Sequence, residues 1–454
     1  MLKTIDHKGW LLVTIGIGSF MSALDGSVVN IILPIVRDAF GSNVATVEWV
    51  VTIYLLVLSG LLLAFGRLGD LRGHKSIYTW GFVVFVISSA LCGAAPSITL
   101  LIIFRGLQAV GGAMLASNSP AIVTKNFPAE QRGRTFGLIS TMTYIGLTVG
   151  PSLGGGLAQF FGWRSVFYIN VPVGAVAILL SLIFIPMDKG AEHGQPFDLA
   201  GSLVFMAGLS TLMLGLNQGS EWGWASPAVL GLLVGALLLL ALFIQIERRS
   251  SAPMLDLSLF RVPLFSMAAA SAVFNYVCVY SLLFLMPFYL IQGRGLDPAQ
   301  AGMLLTVQPI IMAIAAPISG ALSDKRGSRG PGMLGMALLA LGLFMLSWIG
   351  AGTAMWIVAV GLAVSGLGTG MFISPNTSAL MGAAPQSRQG IASGVQAVAR
   401  NFGMVLGIGL AGAIFTTGLA QNTANGLYQG IDMGFLAAAL VAFVGIGLSA
   451  IKEK

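Results

Sequence analysis

The chain has 454 residues, of which 56% are apolar and only 9% are charged, and its mean hydropathy is +0.90. Soluble proteins carry about a quarter charged residues, so this composition excludes an ordinary soluble protein and predicts that most of the surface faces lipid. The two cysteines, Cys92 and Cys278, lie in apolar stretches, which excludes a disulfide framework and a cysteine-ligated zinc site. We therefore expect no cofactor, and we attribute the net charge of +7 to basic loops beside a membrane rather than to a nucleic-acid partner.

Uncharged runs of about 18 residues or more are long enough to cross a hydrocarbon core of about 30 Å as helices. The sequence contains fourteen such runs, and they predict an all-α membrane protein with fourteen transmembrane helices. The predicted spans are 10–33, 47–66, 76–96, 99–122, 134–158, 165–186, 198–217, 226–246, 264–291, 298–322, 331–350, 353–377, 389–416 and 432–451.

The basic residues predict the orientation of these spans. If the N-terminus lies inside, the inner loops and termini hold 18 lysines and arginines, whereas the outer loops hold only Arg37, Arg164 and Arg294. Cytoplasmic loops are enriched in such residues. We therefore predict that both termini are cytoplasmic and that the chain lies in a cytoplasmic membrane.

The first span contains the only acidic residue deep within a predicted helix, Asp25. Keeping a carboxylate ionised away from water is costly, so proton uptake is the less costly alternative. We interpret Asp25 as a proton-coupling residue that could also contact a bound cargo; the alternative is a neutral or paired Asp that only joins helices.

The loop after the second span is repeated later in the chain. Residues 66–75 read GRLGDLRGHK and residues 320–329 read GALSDKRGSR, and the starts of spans 1 and 9 are separated by the same 254 residues. This predicts two six-helix halves, 1–190 and 263–454, separated by an inserted two-helix hairpin with its linkers at 191–262. Parallel six-helix repeats are typical of secondary transporters whose cargo site lies between the halves.

The fourth span contains Arg105. At about 1.5 Å per residue, Arg105 lies about 9 Å from the outer start of its span and Asp25 about 22 Å from the inner start of span 1. Both then lie at a similar depth in the outer third of the membrane. We predict that Arg105 holds Asp25 ionised until a proton binds; a structural role at helix-end carbonyls is equally compatible with the sequence.

The fifth span carries a run of small residues around a proline. Such spacing permits close helix contact, and proline favours a bend. Packing alone would explain the run, which comprises Gly146, Gly150, Pro151, Gly154 and Gly155.

The remaining candidates are polar or aromatic residues within apolar spans, which predict contact with a cargo or hydrogen bonds between helices. Arg400 lies about 18 Å into span 13 and must face a cavity, a partner or a cargo. The other candidates for contact with a small-molecule cargo are Asn30, Phe274, Asn275, Tyr276 and Gln308.

Four segments together resemble the major facilitator superfamily, and the fourteen predicted spans resemble its drug:proton antiporter branch. They are the doubled loop, LDGSVVNIILP at 24–34, RGLQ at 105–108 and G-x-x-x-G-P-x-x-G-G at 146–155. The resemblance implies a major facilitator fold, a latch that closes the cytoplasmic side in the outward-open state, and a bend in span 5 that seals one route. The residues implied in gating, besides those of span 5, are Gly66, Asp70, Arg72, Gly73, Lys75, Asp324 and Arg326.

These observations predict a monomeric exporter in the lipid bilayer that expels an amphipathic, cationic compound in exchange for protons by alternating access. The alternative is a proton-coupled exporter of one metabolite, peptide or lipid. A membrane-embedded enzyme is disfavoured, because no span carries a pair of acids, a metal cluster or a Ser-His arrangement.

Overall fold

The structure is a computed structural model that describes residues 7–42, 44–188, 190, 198–250, 253, 255–419 and 426–450. Helices account for nearly all of these residues. The first group comprises α1 (His7–Phe40), α2 (Val44–Arg72), α3 (His74–Ala94), α4 (Ile98–Asn126), α5 (Ala129–Phe161), the short α6 (Ser165–Tyr168) and α7 (Asn170–Phe184). A hairpin of α8 (Leu199–Trp222) and α9 (Pro227–Arg249) follows. The last group comprises α10 (Pro263–Pro287), α11 (Pro298–Leu305), α12 (Val307–Arg326), α13 (Arg329–Leu346), α14 (Met355–Gly382), α15 (Gln389–Leu419) and α16 (Gly426–Leu448).

Thirteen helical spans of the described chain are long and apolar enough to cross a membrane, which confirms thirteen of the fourteen predicted spans. The exception is α5, which at 33 residues is about 50 Å long and so exceeds the thickness of a bilayer core. Its sequence is rich in Gly, Thr and Ser and is therefore less apolar than a helix that faces lipid. This composition suits its position, since much of its surface packs on α1 and α12. The all-helical membrane architecture is therefore confirmed, with α5 as the fourteenth long helical unit.

The helices pack as two groups with the hairpin beside them. α1 packs on α5 and α7 within the first group, and α10 packs on α15 and α16 within the last. The groups meet where α5 packs on α12 and where α2 packs on α15, while α8 packs on both α2 and α15. The predicted boundary at 190/191 adjoins residues 191–197, which lie outside the described part of the chain, so the domain division stays a prediction.

The buried core differs between the two ends of the bundle. One large apolar cluster contains residues of both groups and the hairpin, including Leu62, Phe205 and Ile391. Two other clusters are each confined to one group, around Phe167 in the first and Leu285 in the last. The shared cluster lies towards the end of the bundle that carries residues 66–75 and 320–329, which we call the basic face. The two groups are therefore packed together at the basic face and have separate cores towards the opposite face.

Candidate functional site

Asp25 and Arg105 form an ion pair in the interior of the first helix group. Arg105 Nη1 lies 2.7 Å from Asp25 Oδ2, and the two residues are 3% and 1% exposed. Asp25 lies on α1 and Arg105 on α4, so their similar depth along antiparallel helices brings them together. This is the direct contact that the sequence suggested for the coupling role, and the role itself stays a prediction.

Two amide side chains complete the surroundings of Asp25. Gln108 Nε2 donates to Asp25 Oδ1 at 2.9 Å, and Asn170 Nδ2 donates to the same oxygen at 3.3 Å. Asn170 also donates to Ser89 Oγ at 3.0 Å, which fixes its side chain. Since an ionised carboxylate is only an acceptor, three donors satisfy the ionised form of Asp25.

Arg105 has further contacts that do not involve Asp25. Its Nε donates to the Val50 carbonyl at 3.1 Å, its Nη1 donates to Gln108 Oε1 at 2.7 Å, and its Cζ lies 4.4 Å from the centre of the Tyr54 ring. A guanidinium over an aromatic face is stabilised by a cation–π interaction. Arg105 is therefore held on α2 and α4 even if its contact with Asp25 breaks.

The sequence did not identify Gln108, Asn170 or Tyr54 as site residues. Gln108 could have been found, because it lies three residues after Arg105 on the same helix face. Asn170 and Tyr54 gave no comparable signal, since their proximity to Asp25 and Arg105 depends on how α7 and α2 pack.

The glycines of α5 seat this helix on the segment of α1 that carries Asp25. A Cβ on Gly146 would lie 2.7 Å from the Phe20 carbonyl oxygen, one on Gly150 would overlap Ser27 Oγ, and one on Gly154 would lie 2.7 Å from Val28 Cγ1. A Cβ on Gly155 would meet nothing within 4 Å, so close packing does not explain that residue. Pro151 lies within α5, but its side chain lies outside the described part.

We expect Gly150→Leu to destabilise the protein more than Gly155→Leu. A larger side chain at Gly150 must push α5 away from Ser27, and overpacking costs about 1–3 kcal/mol, whereas Gly155 has open space. The thermal stability of the two purified variants measures this, with Gly155→Leu as the matched control. Equal stability of both variants would show that the close α1–α5 approach at Gly150 does not limit the size of this side chain.

Two carboxylates tie the helix groups together at the basic face. Asp70 accepts from the backbone amides of Gly390 and Ile391 at 2.8 and 3.0 Å, at the start of α15. Asp324 accepts from the amides of Gly133 and Arg134 at 2.7 and 2.9 Å, near the start of α5. A carboxylate near a helix N-terminus is favoured by the helix dipole.

The first glycine of each repeated loop permits these contacts. A Cβ on Gly66 would overlap the Gly390 carbonyl oxygen, and a Cβ on Gly320 would overlap that of Gly133. In each repeat, the glycine lets two backbones touch, and the aspartate four residues later binds amides of the facing helix. The doubled loop therefore forms a pair of equivalent contacts, which we call the two latch contacts, at Asp70 and at Asp324.

The rest of the first loop is bound by groups of its own half. Gly73 has a φ of +92°, and the amides of His74 and Lys75 beyond it donate to Asp188 at 2.9 and 3.1 Å. Burial alone would raise the pKa of Asp188, but these amides and the electrostatic influence of His74 and Lys125 outweigh it and lower the pKa below its usual value. Lys75 Nζ donates to the Leu182 carbonyl at 2.8 Å.

Arg72 and Arg326 are exposed at the last turns of α2 and α12. At these positions their charges complement the negative ends of the helix dipoles. The contact between the halves is made by the aspartates, and a gating role for the two arginines stays a prediction.

The candidate cargo residues are only partly brought together. Tyr276 and Arg400 interact electrostatically between α10 and α15. Asn275 is fully buried and its Nδ2 lies 3.5 Å from Met336 Sδ, within the last helix group. Phe274 packs in the apolar cluster of that group, and Gln308 packs against Gly366 of α14. The side chain of Asn30 lies outside the described part.

Comparisons with known proteins identify relatives over nearly the whole chain. The sequence profile of the Major Facilitator Superfamily matches residues 15–408. The chain is 34% identical to the riboflavin transporter RibZ of Clostridioides difficile (strain 630), over 98% of this chain and 97% of that protein. It is 35% identical to the multidrug resistance protein Stp of Mycobacterium tuberculosis, over 90% of this chain and 76% of that protein.

Two further matches extend this picture. The tetracenomycin C resistance and export protein of Streptomyces glaucescens is 31% identical, over 89% of this chain and 76% of that protein. Among solved structures, the human organic anion transporter MFSD10 aligns with a TM-score of 0.69 and 15% identity, over 98% of this chain and all of that one. The structural match supports the fold alone.

Proposed function

The chain belongs to the Major Facilitator Superfamily, and we propose that it is a proton-coupled exporter of amphipathic compounds that works by alternating access. Its family and relatives are transporters, so it is a multi-pass membrane transporter and not an enzyme. Drug and antibiotic exporters are among the relatives, which supports the direction of transport that we propose.

The observation that carries the proton coupling is the ion pair between Asp25 and Arg105. Asp25 is satisfied by three donors when ionised, and Arg105 keeps its bonds to Val50 and Tyr54 without Asp25. A proton on Asp25 removes the charge that attracts Arg105, while leaving Arg105 held on α2 and α4. Protonation therefore changes the α1–α4 contact specifically, without freeing a buried guanidinium from all of its partners.

The helix α5 provides a route from Asp25 to the other half. Its glycines contact α1 on both sides of Asp25, and Thr141 Oγ1 donates to the Ala313 carbonyl of α12 at 2.8 Å. A shift of α1 would therefore move a helix that also packs on the last helix group. This continuous packing supports a coupling between proton binding and the relative movement of the halves.

We propose that the basic face is cytoplasmic, with both termini on that side, and that the transporter acts as a monomer in a bacterial cytoplasmic membrane. The excess of basic residues at this face supports the orientation. The two latch contacts and the shared core at the basic face support an outward-facing state.

Transport by the purified protein in proteoliposomes tests the proposal. An inward proton gradient contributes about 1.4 kcal/mol per pH unit, and the membrane potential about 2.3 kcal/mol per 100 mV and charge. We expect uphill movement of an amphipathic dye that stops when an uncoupler collapses both. Dye movement that is indifferent to the proton gradient would reject proton coupling.

We expect Arg105→Ala to abolish the pH dependence of transport. The substitution leaves Asp25 as a buried carboxyl without its counter-charge, a loss of about 3–5 kcal/mol for a buried pair. Rates measured between pH 6 and pH 8 check this, with Arg164→Ala, which removes an exposed arginine, as the matched control. If Arg105→Ala keeps the pH profile of the wild type, Arg105 has no part in coupling.

The cargo expected from the sequence was cationic, because one negative site would bind the proton and the cargo in turn. Both oxygens of Asp25 accept protein donors, so a cation would have to displace Arg105 to reach it. The geometry therefore does not favour a cationic cargo at Asp25. The match to RibZ keeps a second candidate, a transporter dedicated to one metabolite, which a panel of unrelated dyes would distinguish from a multidrug exporter.

A further inference from the structure

Arg400 is a charged residue between the halves that the proton-coupling mechanism does not use. It is half-buried on α15, and its Nε donates to Asn401 Oδ1 at 3.4 Å, which is long for such a bond. Within the described ranges, no carboxylate lies within ion-pair distance of Arg400. A cation within a membrane protein is costly unless a partner or a polar cavity stabilises it.

Three tyrosines, from both halves, lie within electrostatic range of Arg400. Tyr54 of α2 and Tyr276 and Tyr280 of α10 all interact electrostatically with Arg400. Tyr276 and Tyr280 are half-buried and four residues apart, so they lie on one face of α10. Arg400 therefore has phenol side chains of both halves in its electrostatic surroundings.

Neighbouring contacts place this cluster where the two halves meet. Asn401, the next residue after Arg400, donates to Ser59 Oγ of α2 at 2.8 Å. One turn further along α15, a Cβ on Gly403 would lie 2.8 Å from Tyr276 Cβ, so α10 and α15 are in close contact. A cargo site between the halves is typical of transporters with this repeat.

We propose that Arg400 binds the carboxylate or phenolate of an aromatic anion, with the half-buried Tyr276 and Tyr280 packing on the aromatic body of that cargo. This inference rests on the proposed function and names the cargo class of the same transporter. A guanidinium forms strong, paired hydrogen bonds to a carboxylate, and tyrosine offers both an apolar ring and a polar hydroxyl.

Tyr54 connects this cargo site to the proton site. Arg105 lies over its ring at 4.4 Å, and Arg400 interacts with the same residue. A cargo anion on Arg400 would therefore change the electrostatic surroundings of the buried side chain that holds Arg105. The charge balance follows directly: one proton entering for one monovalent anion leaving moves two charges, whereas a neutral cargo moves one and a monovalent cation none.

The test is the affinity of the purified full-length protein for matched fluorescent probes in the absence of any gradient. The probes are 7-methoxycoumarin-3-carboxylate, its neutral carboxamide and a trimethylammonium derivative of that amide. Hydrogen bonds to charged groups contribute about 1.5–3 kcal/mol, so we expect the carboxylate to bind about tenfold more tightly than the carboxamide, or better. Arg400→Gln should remove this preference and Arg400→Lys should keep part of it, while the control Arg164→Gln keeps all of it.

Three results would overturn the proposal. The first is that the wild type binds the three probes with equal affinity or binds none of them. The second is that it binds the trimethylammonium probe more tightly than the carboxylate. The third is that Arg400→Gln still prefers the carboxylate to the carboxamide. Because binding is measured without a gradient, a failure of proton-driven transport leaves this result standing. Conversely, proton-driven transport that moves no net charge with its cargo would retain the proposed function and reject the anionic cargo.

Discussion

The Asp25→Asn variant is expected to lose uphill, proton-driven transport completely, while exchange of cargo down its own gradient persists. Asn has the shape of a protonated Asp, so it mimics one state of the cycle and prevents the other. The variant can then move between orientations but cannot release a proton. Dye accumulation against a gradient and dye exchange at equal concentrations, measured in proteoliposomes, separate the two activities.

The Asp25→Asn variant should also be less stable than the wild type, because the ion pair is buried. Removing one partner of a buried pair leaves the other charge uncompensated and costs about 3–5 kcal/mol. In Asp25→Asn that charge is Arg105, which keeps Val50 and Tyr54 as partners. We therefore expect reduced thermal stability together with the loss of coupling.

A control and a second variant keep the two effects apart. Asp38→Asn removes an exposed carboxylate at the end of the same helix and should behave like the wild type. The double variant Asp25→Asn with Arg105→Gln leaves no buried charge at this ion pair, so it should recover stability without recovering uphill transport. Uphill transport by either variant that lacks Asp25 would show that the proton binds elsewhere.

The sequence was sufficient for those features that depend on spacing along one helix or on repetition along the chain. Runs of apolar residues located thirteen spans, and α5 was found as well, although it is rich in Gly, Thr and Ser. The depths of Asp25 and Arg105 followed from the helical rise alone. The repeated loop identified Asp70 and Asp324 as a pair, because the two loops share the same residue pattern at equivalent positions of the chain.

The features that the sequence could not reveal are contacts between helices of unknown packing. Nothing near Gly390 or Gly133 marks them as the places where Gly66 and Gly320 touch the opposite half. Asn275 and Arg400 look alike in sequence, as polar residues within apolar spans. Only the rotation of α10 and α15 within the bundle buries the first in one helix group and leaves the second between the halves.

The second large effect is expected from the double variant Gly66→Ala with Gly320→Ala, which should open the basic face and strongly reduce transport. Each added Cβ would overlap a backbone carbonyl of the facing helix, and backbone cannot rotate aside as a flexible side chain can. Overpacking costs about 1–3 kcal/mol at each site, and every 1.4 kcal/mol changes a population ratio about tenfold. Separation of the helices also lengthens the hydrogen bonds that Asp70 and Asp324 accept from backbone amides of the facing helices. The loss of these bonds then adds to the cost of overpacking.

Distances between spin labels at Ser76→Cys and Gln386→Cys, both exposed on opposite halves of the basic face, measure this opening directly. The native cysteines, Cys92 and Cys278, are buried and should not take up label. Gly330→Ala is the matched control, because a Cβ there meets nothing within 4 Å. If both latch glycines accept alanine with unchanged distances and transport, the backbone contacts do not hold the basic face closed. Asp70→Asn with Asp324→Asn would then test the carboxylates alone, since an amide group turns one acceptor into a donor that faces other donors.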